Sequence, residues 1–312
     1  MVTAAEIQLF DAKTEGSPQD YLNRDLSWLE FNRRVLHEAV DERTPMLERV
    51  RFLGIFTSNL DEFFMKRIGA LKRQAASGAV TRTADGRTPG EVLTAIRQTL
   101  LPMLAQQAEC FSKVIRPALH QVGVQLVEWE ELTPAEHEAA KKFFSATVFP
   151  VLTPLAVDQG SPYPFISNLS TSLGVVLHHP DGEELFARVK VPEVLPKWIN
   201  IAPPGEVYRF VSLHEIIQHN LQDLFPDMTL VDVMLFRVTR NADIERDEED
   251  AEDLRQLMED ELRARKFAQA VRLEHGPKPN AWIRQFLMEE LELTDQDVYE
   301  MASELAYDDL RP

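Results

Sequence analysis

The chain reads as an α+β protein, an amino-terminal antiparallel helical bundle followed by an α+β domain with a mainly antiparallel sheet. Three observations predict it. From residue 21 to about 120, apolar residues recur at spacings of three and four, the period of amphipathic helices. From Val122 onward, short alternating runs are separated by capped helices and turn signals. The charge also changes between the halves: residues 21–126 hold 15 Lys+Arg against 11 Asp+Glu, and residues 127–312 hold 17 against 36, in a chain of net charge −18. The expected organisation is a flexible segment 1–20, a helical domain 21–122 and an α+β domain 123–312.

Ser27-Trp28-Leu29-Glu30 has the form of a capping box, with Trp28, Phe31, Val35 and Ala39 following at helical spacing and Leu29, Asn32 and Leu36 alongside. Pro45 ends that helix. A second helix is expected over Met46 to Phe56, with Leu47, Val50 and Leu53 inward and Arg49 and Arg51 outward. Ser58 or Asn59, with Asp61 or Glu62, then reads as the cap of a third helix. It would bury Leu60, Phe64, Ile68 and Leu71 and expose Lys66, Arg67, Lys72 and Arg73. Residues 77–88 carry loop signals, and Thr88-Pro89-Gly90-Glu91 opens a long helical tract that Pro102 should bend.

In the second half, Thr133-Pro134-Ala135-Glu136 starts a helix that ends in the proline-punctuated segment Phe149–Pro154. Ser170 to His178 and Leu185 to Val191 read as a hairpin about His179-Pro180-Asp181-Gly182. Val207 to Leu213 and Thr229 to Thr239 are strands with a helix, His214 to Leu224, between them. Asp250 to Phe267 reads as a charged helix and Val271 to Glu274 as a further strand. Asn280 to Leu291 and Asp295 to Leu305 read as closing helices.

Composition bounds the function. The single Cys110 excludes a disulfide framework and a thiolate metal cage, and points to a reducing cytoplasmic compartment. The start, Met1 to Glu6, has neither the basic end nor the apolar run of a signal peptide, and no run suits a membrane span. The 12 glycines form neither GxxxxGK[ST] nor GxGxxG, and the eight histidines form neither HExxH nor HxH. No nucleophilic motif accompanies Cys110. The Arg237 to Glu245 cluster, Arg237-Val238-Thr239-Arg240-Asn241-Ala242-Asp243-Ile244-Glu245, reads equally as a phosphate-lining strand end and as a strand end paired to acids. Asp247 to Asp250 reads as a solvated first helical turn rather than a metal site. A nucleic-acid binder is disfavoured, because basic excess is confined to the first half and lacks interleaved aromatics.

Tyr21 to Leu36, Glu48 to Ile55 and Ser58 to Phe63 resemble the amino-terminal domain of the bacterial polyphosphate kinase type 1 family. Pro150 to Ala156, Pro164 to Ser170, Phe186 to Pro192 and Phe236 to Asp243 resemble its middle, or head, domain. The resemblance implies reversible transfer of the ATP terminal phosphate to polyphosphate, with Mg2+ and a phosphohistidine intermediate. It implies two further, carboxy-terminal catalytic domains that this chain lacks, and with them the magnesium ligands and the nucleophile. No catalytic and no metal-binding residue is therefore expected here, and the chain alone is expected to be silent. Asn59 is the position the resemblance assigns to the ATP site. ATP/ADP, inorganic polyphosphate and further copies of the chain, as a dimer or tetramer, are the implied partners. Peripheral membrane association is compatible with the chain but not called for by it. A non-catalytic nucleotide- or polyphosphate-binding module is the alternative.

Overall fold

The computed structural model describes residues 17–78, 82–157, 165–203, 205, 207–242 and 268–310. The first helix, α1 (Arg24–Val40), starts one turn earlier than the Ser27 signal implies. Asn23 caps it, its Oδ1 accepting from the backbone N–H of Asp25 and Leu26. Helix α2 (Met46–Phe63) runs on through one wide turn, Phe64–Ile68, into α3 (Gly69–Ala76). The expected break at Ser58 and Asn59 does not occur. Capping residues end a helix only where the apolar period also stops, and here Val50, Leu53, Phe56, Leu60 and Phe64 continue one buried stripe.

The expected faces of α1 and α2 also need correction. Leu29, Asn32, Leu36 and Ala39 form the buried stripe of α1, while Phe31 is exposed. On α2, Leu47 faces solvent and Arg49 is buried. Arg49 Nε donates to Ala39 O at 2.7 Å, and its Nη2 donates to Val40 O at 3.3 Å, so a cation closes the carbonyl end of α1. The Thr88 capping box forms as expected and opens α4 (Pro89–Cys110), which carries Pro102 without interruption. A second wide turn, Phe111–Ile115, leads into α5 (Arg116–Gln121).

The described residues of the α+β part form two sheets. In the smaller, β1 (Val124–Val127) pairs in parallel with β6 (Tyr208–Ser212), and β6 pairs antiparallel with β5 (Trp198–Asn200). The larger has the order β2-β4-β3-β7-β8-β9, built from Leu155–Val157 (β2), Thr171–His178 (β3), Glu184–Lys190 (β4), Thr229–Arg240 (β7), Ala270–His275 (β8) and Val298–Glu300 (β9). Only the β8–β9 ladder of this sheet is parallel. The expected β3–β4 hairpin forms, with His178 opposite Glu184, and Gly182 in the turn takes φ +88°.

Among the described residues three helices complete this half: α6 (Pro134–Phe143), capped by Thr133; α7 (Leu213–Gln218), shorter than expected and followed by a separate turn at Leu221–Leu224; and α8 (Ala281–Glu290), capped by Asn280. The helix expected over Asp295 to Leu305 is absent. One tight turn, Asp295–Asp297, leads into β9, because Val298 and Tyr299 pair with β8 and bury there. The helix expected over Asp250 to Phe267 lies outside the described residues.

Alternation on β3 sends Leu173, Val175 and Leu177 into a core shared with α6 and α7, and Val176 into a core beneath α8. A Cβ on Gly174 would lie 3.0 Å from both Ile283 and Phe186, so glycine permits that close approach of α8. The bundle core is not closed by helices alone. Val271, Tyr299, Met301, Leu305 and Tyr307 of the second half are buried in it. The aromatic rings of Tyr299 and Tyr307 meet Phe64 and Phe111 edge to face, at 5.6 and 5.3 Å.

Candidate functional site

Two amide side chains grip the backbone of α2. Asn32, fully buried on α1, donates from Nδ2 to Phe56 O at 3.2 Å, and Gln107 on α4 donates to Leu53 O at 3.1 Å and to Thr57 Oγ1 at 2.8 Å. In an otherwise apolar seam such groups stabilise only when satisfied at both ends. For Asn32 the other end is Asn59, whose Nδ2 donates to Asn32 Oδ1 at 3.0 Å. Asn59 is half-buried, on the rim of the α1–α2 seam and in the interior of α2. The structure therefore offers no helix N-terminus at this point. Trp28 stacks on Phe63 along the same seam, with centroids 4.5 Å apart, and Arg34 lies over the exposed ring of Phe31 at 5.9 Å.

Asp61, two residues along the helix from Asn59, points into the protein. Its carboxylate accepts from Arg237 Nη1 at 2.9 Å, from Arg237 Nη2 at 2.5 Å and from Arg272 Nη2. Glu274 takes the remaining guanidinium edges, 3.1 Å from Arg237 and 3.1 Å from Arg272. Arg272 also donates to Thr239 Oγ1 at 3.0 and 2.8 Å and lies 4.3 Å over the ring of Phe64. All four charged side chains are at most 5% exposed. Burial alone would push the Asp61 carboxyl up, but the two guanidinium groups outweigh it and hold Asp61 below the usual carboxylate range. Two cations facing two anions form a neutral quartet, and it fastens the Asn59 helix to strands β7 and β8.

Of the two readings of the Arg237 cluster, pairing to acids describes Arg237. Arg240 is likewise engaged, with Nε on Ile166 O and Nη1 on Ala268 O, both at 2.7 Å, and the guanidinium 4.8 Å over Phe165. Asn241 is buried against Gly69, and the Ala242 N–H donates to Met65 O at 2.8 Å inside the wide turn after α2. Asp243 to Glu245 and the acidic run Asp247 to Asp250 lie outside the described residues. The sequence pattern places Asp61 in a helix cap and gives Arg272 no role, whereas in the structure the two meet in the quartet. The available signal was a charged residue, Asp61, inside the apolar stripe of α2, and an arginine and glutamate two apart on a strand, which share one face.

A second titratable cluster lies where the last described segment crosses the small sheet. Lys197, Ser212, His214, Glu304 and Asp309 line one cleft. Burial pushes the Glu304 carboxyl up to about 7, partly opposed by Arg116. Burial, with help from Lys197, brings the His214 imidazole down to about 4. The other histidines show no shared site. His137 and His219 both stack on the ring of Trp129, at 4.8 and 4.6 Å, and His275 bonds the Gly276 carbonyl at 2.8 Å. Among the described residues no group of three or more His, Cys, Asp or Glu is placed to hold a metal ion, so no ligand is assigned to magnesium. Nor is any described helix long and apolar enough to cross a membrane.

Residues 21–127 match the sequence profile of the polyphosphate kinase N-terminal domain, and residues 135–311 match that of the polyphosphate kinase middle domain. The chain belongs to the polyphosphate kinase family. The polyphosphate kinase of Thermosynechococcus vestitus is 47% identical over 300 residues, covering 94% of this chain and 41% of the relative. That of Streptomyces coelicolor is 45% identical over 288 residues, covering 91% and 38%. The crystal structure of polyphosphate kinase from Porphyromonas gingivalis superposes with a TM-score of 0.74 at 25% identity, over 93% of this chain and 40% of that one. The chain thus spans about two fifths of the length of the polyphosphate kinases it matches.

Proposed function

We propose that this chain forms the helical domain (21–122) and head domain (123–312) of a polyphosphate kinase that transfers the ATP terminal phosphate reversibly to polyphosphate, and that Asn59 meets the adenine side of the nucleotide. The observation that carries the reading is the pair of successive family matches, at residues 21–127 and 135–311, on a chain whose relatives continue to more than twice its length. The geometry around Asn59 supports its role. An amide both donates and accepts, which suits a purine edge, and Asn59 stands at a partly open rim on a helix fixed by Asn32, Gln107 and the buried quartet.

In this reading the chain's own residues bind and orient. They hold one wall of the nucleotide site rigid and perform no bond-making step. Magnesium, when bound, would neutralise phosphate charge, on ligands outside the described residues. Phosphate handling belongs to the remaining length of the relatives, so the 312-residue chain alone is catalytically silent. ATP/ADP and polyphosphate are its ligands, and a cytoplasmic homo-oligomer its working form.

The test is Asn59→Ala in the full-length enzyme. KM for ATP should rise about tenfold, the equivalent of one lost hydrogen bond, with the fold retained. The expected structural cost is about 1 kcal/mol, from the Asn32 acceptor left unsatisfied. An unchanged KM for ATP would return Asn59 to a purely structural partner of Asn32.

A further inference from the structure

We propose that Asn32 is a positioning residue that fixes which end of the Asn59 amide faces the base, and that this polarity selects a purine with a 6-amino group over one with a 6-oxo group. The inference rests on the reading of Asn59 as the adenine-side contact. Its starting point is the Phe56 carbonyl, which can only accept. The group 3.2 Å from it must therefore be Asn32 Nδ2, not Oδ1. Asn32 Oδ1 is then at the opposite end of that amide and can itself only accept, so Asn59 must turn Nδ2 toward it, at 3.0 Å.

Asn32 is 0% exposed, so water cannot take over either end of the relay. Asn59 Oδ1 is left with no hydrogen bond among the described residues, beside the second N–H of the same amide. An unrestrained amide turns over at little cost and accepts either base. The held one presents an acceptor at a fixed place. A 6-amino purine donates to it, whereas a 6-oxo purine in the same pose sets lone pair against lone pair.

The experiment compares kcat/KM for ATP and for inosine triphosphate, which differ at position 6 of the base, in the full-length enzyme. Wild type, Asn32→Leu and Asn59→Ala are measured side by side. Wild type should prefer ATP by roughly ten- to a hundredfold, the range expected for a polar group left unpaired. In Asn32→Leu, which keeps the approximate shape and removes the relay, the preference should fall toward parity through a raised KM for ATP rather than a lowered kcat. Asn59→Ala should lose the preference outright. Wild-type kcat/KM equal for the two nucleotides overturns the proposal without need of any variant. A wild-type preference retained in Asn32→Leu but lost in Asn59→Ala overturns the positioning role and leaves the Asn59 reading standing. An Asn59→Ala enzyme with wild-type KM for ATP overturns both.

Discussion

Replacing Asp61 with alanine should be among the most destabilising single changes in this chain. Asp61 accepts three hydrogen bonds from two guanidinium groups, and it supplies one of only two negative charges in a quartet at most 5% exposed. Its removal leaves Arg237 and Arg272 sharing Glu274 alone, with a net positive charge sealed between bundle and sheet. A pair of unit charges about 4 Å apart is worth about 4 kcal/mol at an effective dielectric constant near 20. Breaking buried pairs by removing one partner generally costs about 3–5 kcal/mol, which sets the expected loss.

The assay is chemical denaturation of the chain at pH 7, followed by tryptophan fluorescence, with Asp61→Ala, Arg237→Met and the double variant forming a cycle. Because the orphaned charge carries most of the penalty, the double variant should be more stable than the sum of the single losses implies. A loss below about 1 kcal/mol for Asp61→Ala would refute the reasoning, since only a solvated, screened pair costs so little.

Glu304→Gln should change the pH dependence of stability. The folded carboxyl is held up at about 7, against a usual value near 4.5, so the folded protein binds a proton there that the unfolded chain has released. That contribution is complete below pH 4.5 and is lost as pH rises through 7. Gln cannot ionise, so the variant should match wild type near pH 4.5 and exceed it by about 1–3 kcal/mol at pH 8, the lower part of the range reflecting the partial solvent contact of Glu304. Thermal melts across pH 4.5–8 check this, and parallel wild-type and variant curves would contradict it. Gly69→Ala should cost about 1–3 kcal/mol, because the added Cβ would collide with the Asn241 side chain where the wide turn meets β7. A variant with unchanged denaturation midpoint would show that Asn241 yields freely.

Local chemistry was well inscribed in the sequence. The Thr88 and Thr133 capping boxes each satisfy two backbone donors by themselves, so four consecutive residues suffice to find them. The hairpin at His179 to Gly182 is equally local. The extent of α2 was harder, because Ser58 and Asn59 carry cap chemistry in a place where the apolar period does not stop. Asn59 and Asn32 show the same limit. Twenty-seven positions separate the two amides, and what joins them is the crossing of α1 and α2. The quartet lay further out of reach, since 176 residues separate Asp61 from Arg237 and 211 separate it from Arg272. Arg49 looked like a surface residue because an isolated helix offers no reason to bury it. That reason is the open carbonyl end of the preceding helix. The Asp295 to Leu305 segment failed for a related reason, as pairing with β8 overrode its helical spacing.

The return of Tyr299 to Tyr307 into the bundle core bears on the order in which the protein can be made. A ribosome releases the helices first, yet Phe64 and Phe111 wait for Tyr299 and Tyr307, which lie 235 and 196 residues further along the chain. During that interval the nascent bundle carries an uncovered apolar surface, the kind that draws chaperones and proteases. The boundary between the two family profiles is therefore a division of sequence and not of folding. Cutting near residue 130 should release an amino-terminal piece missing part of its own interior.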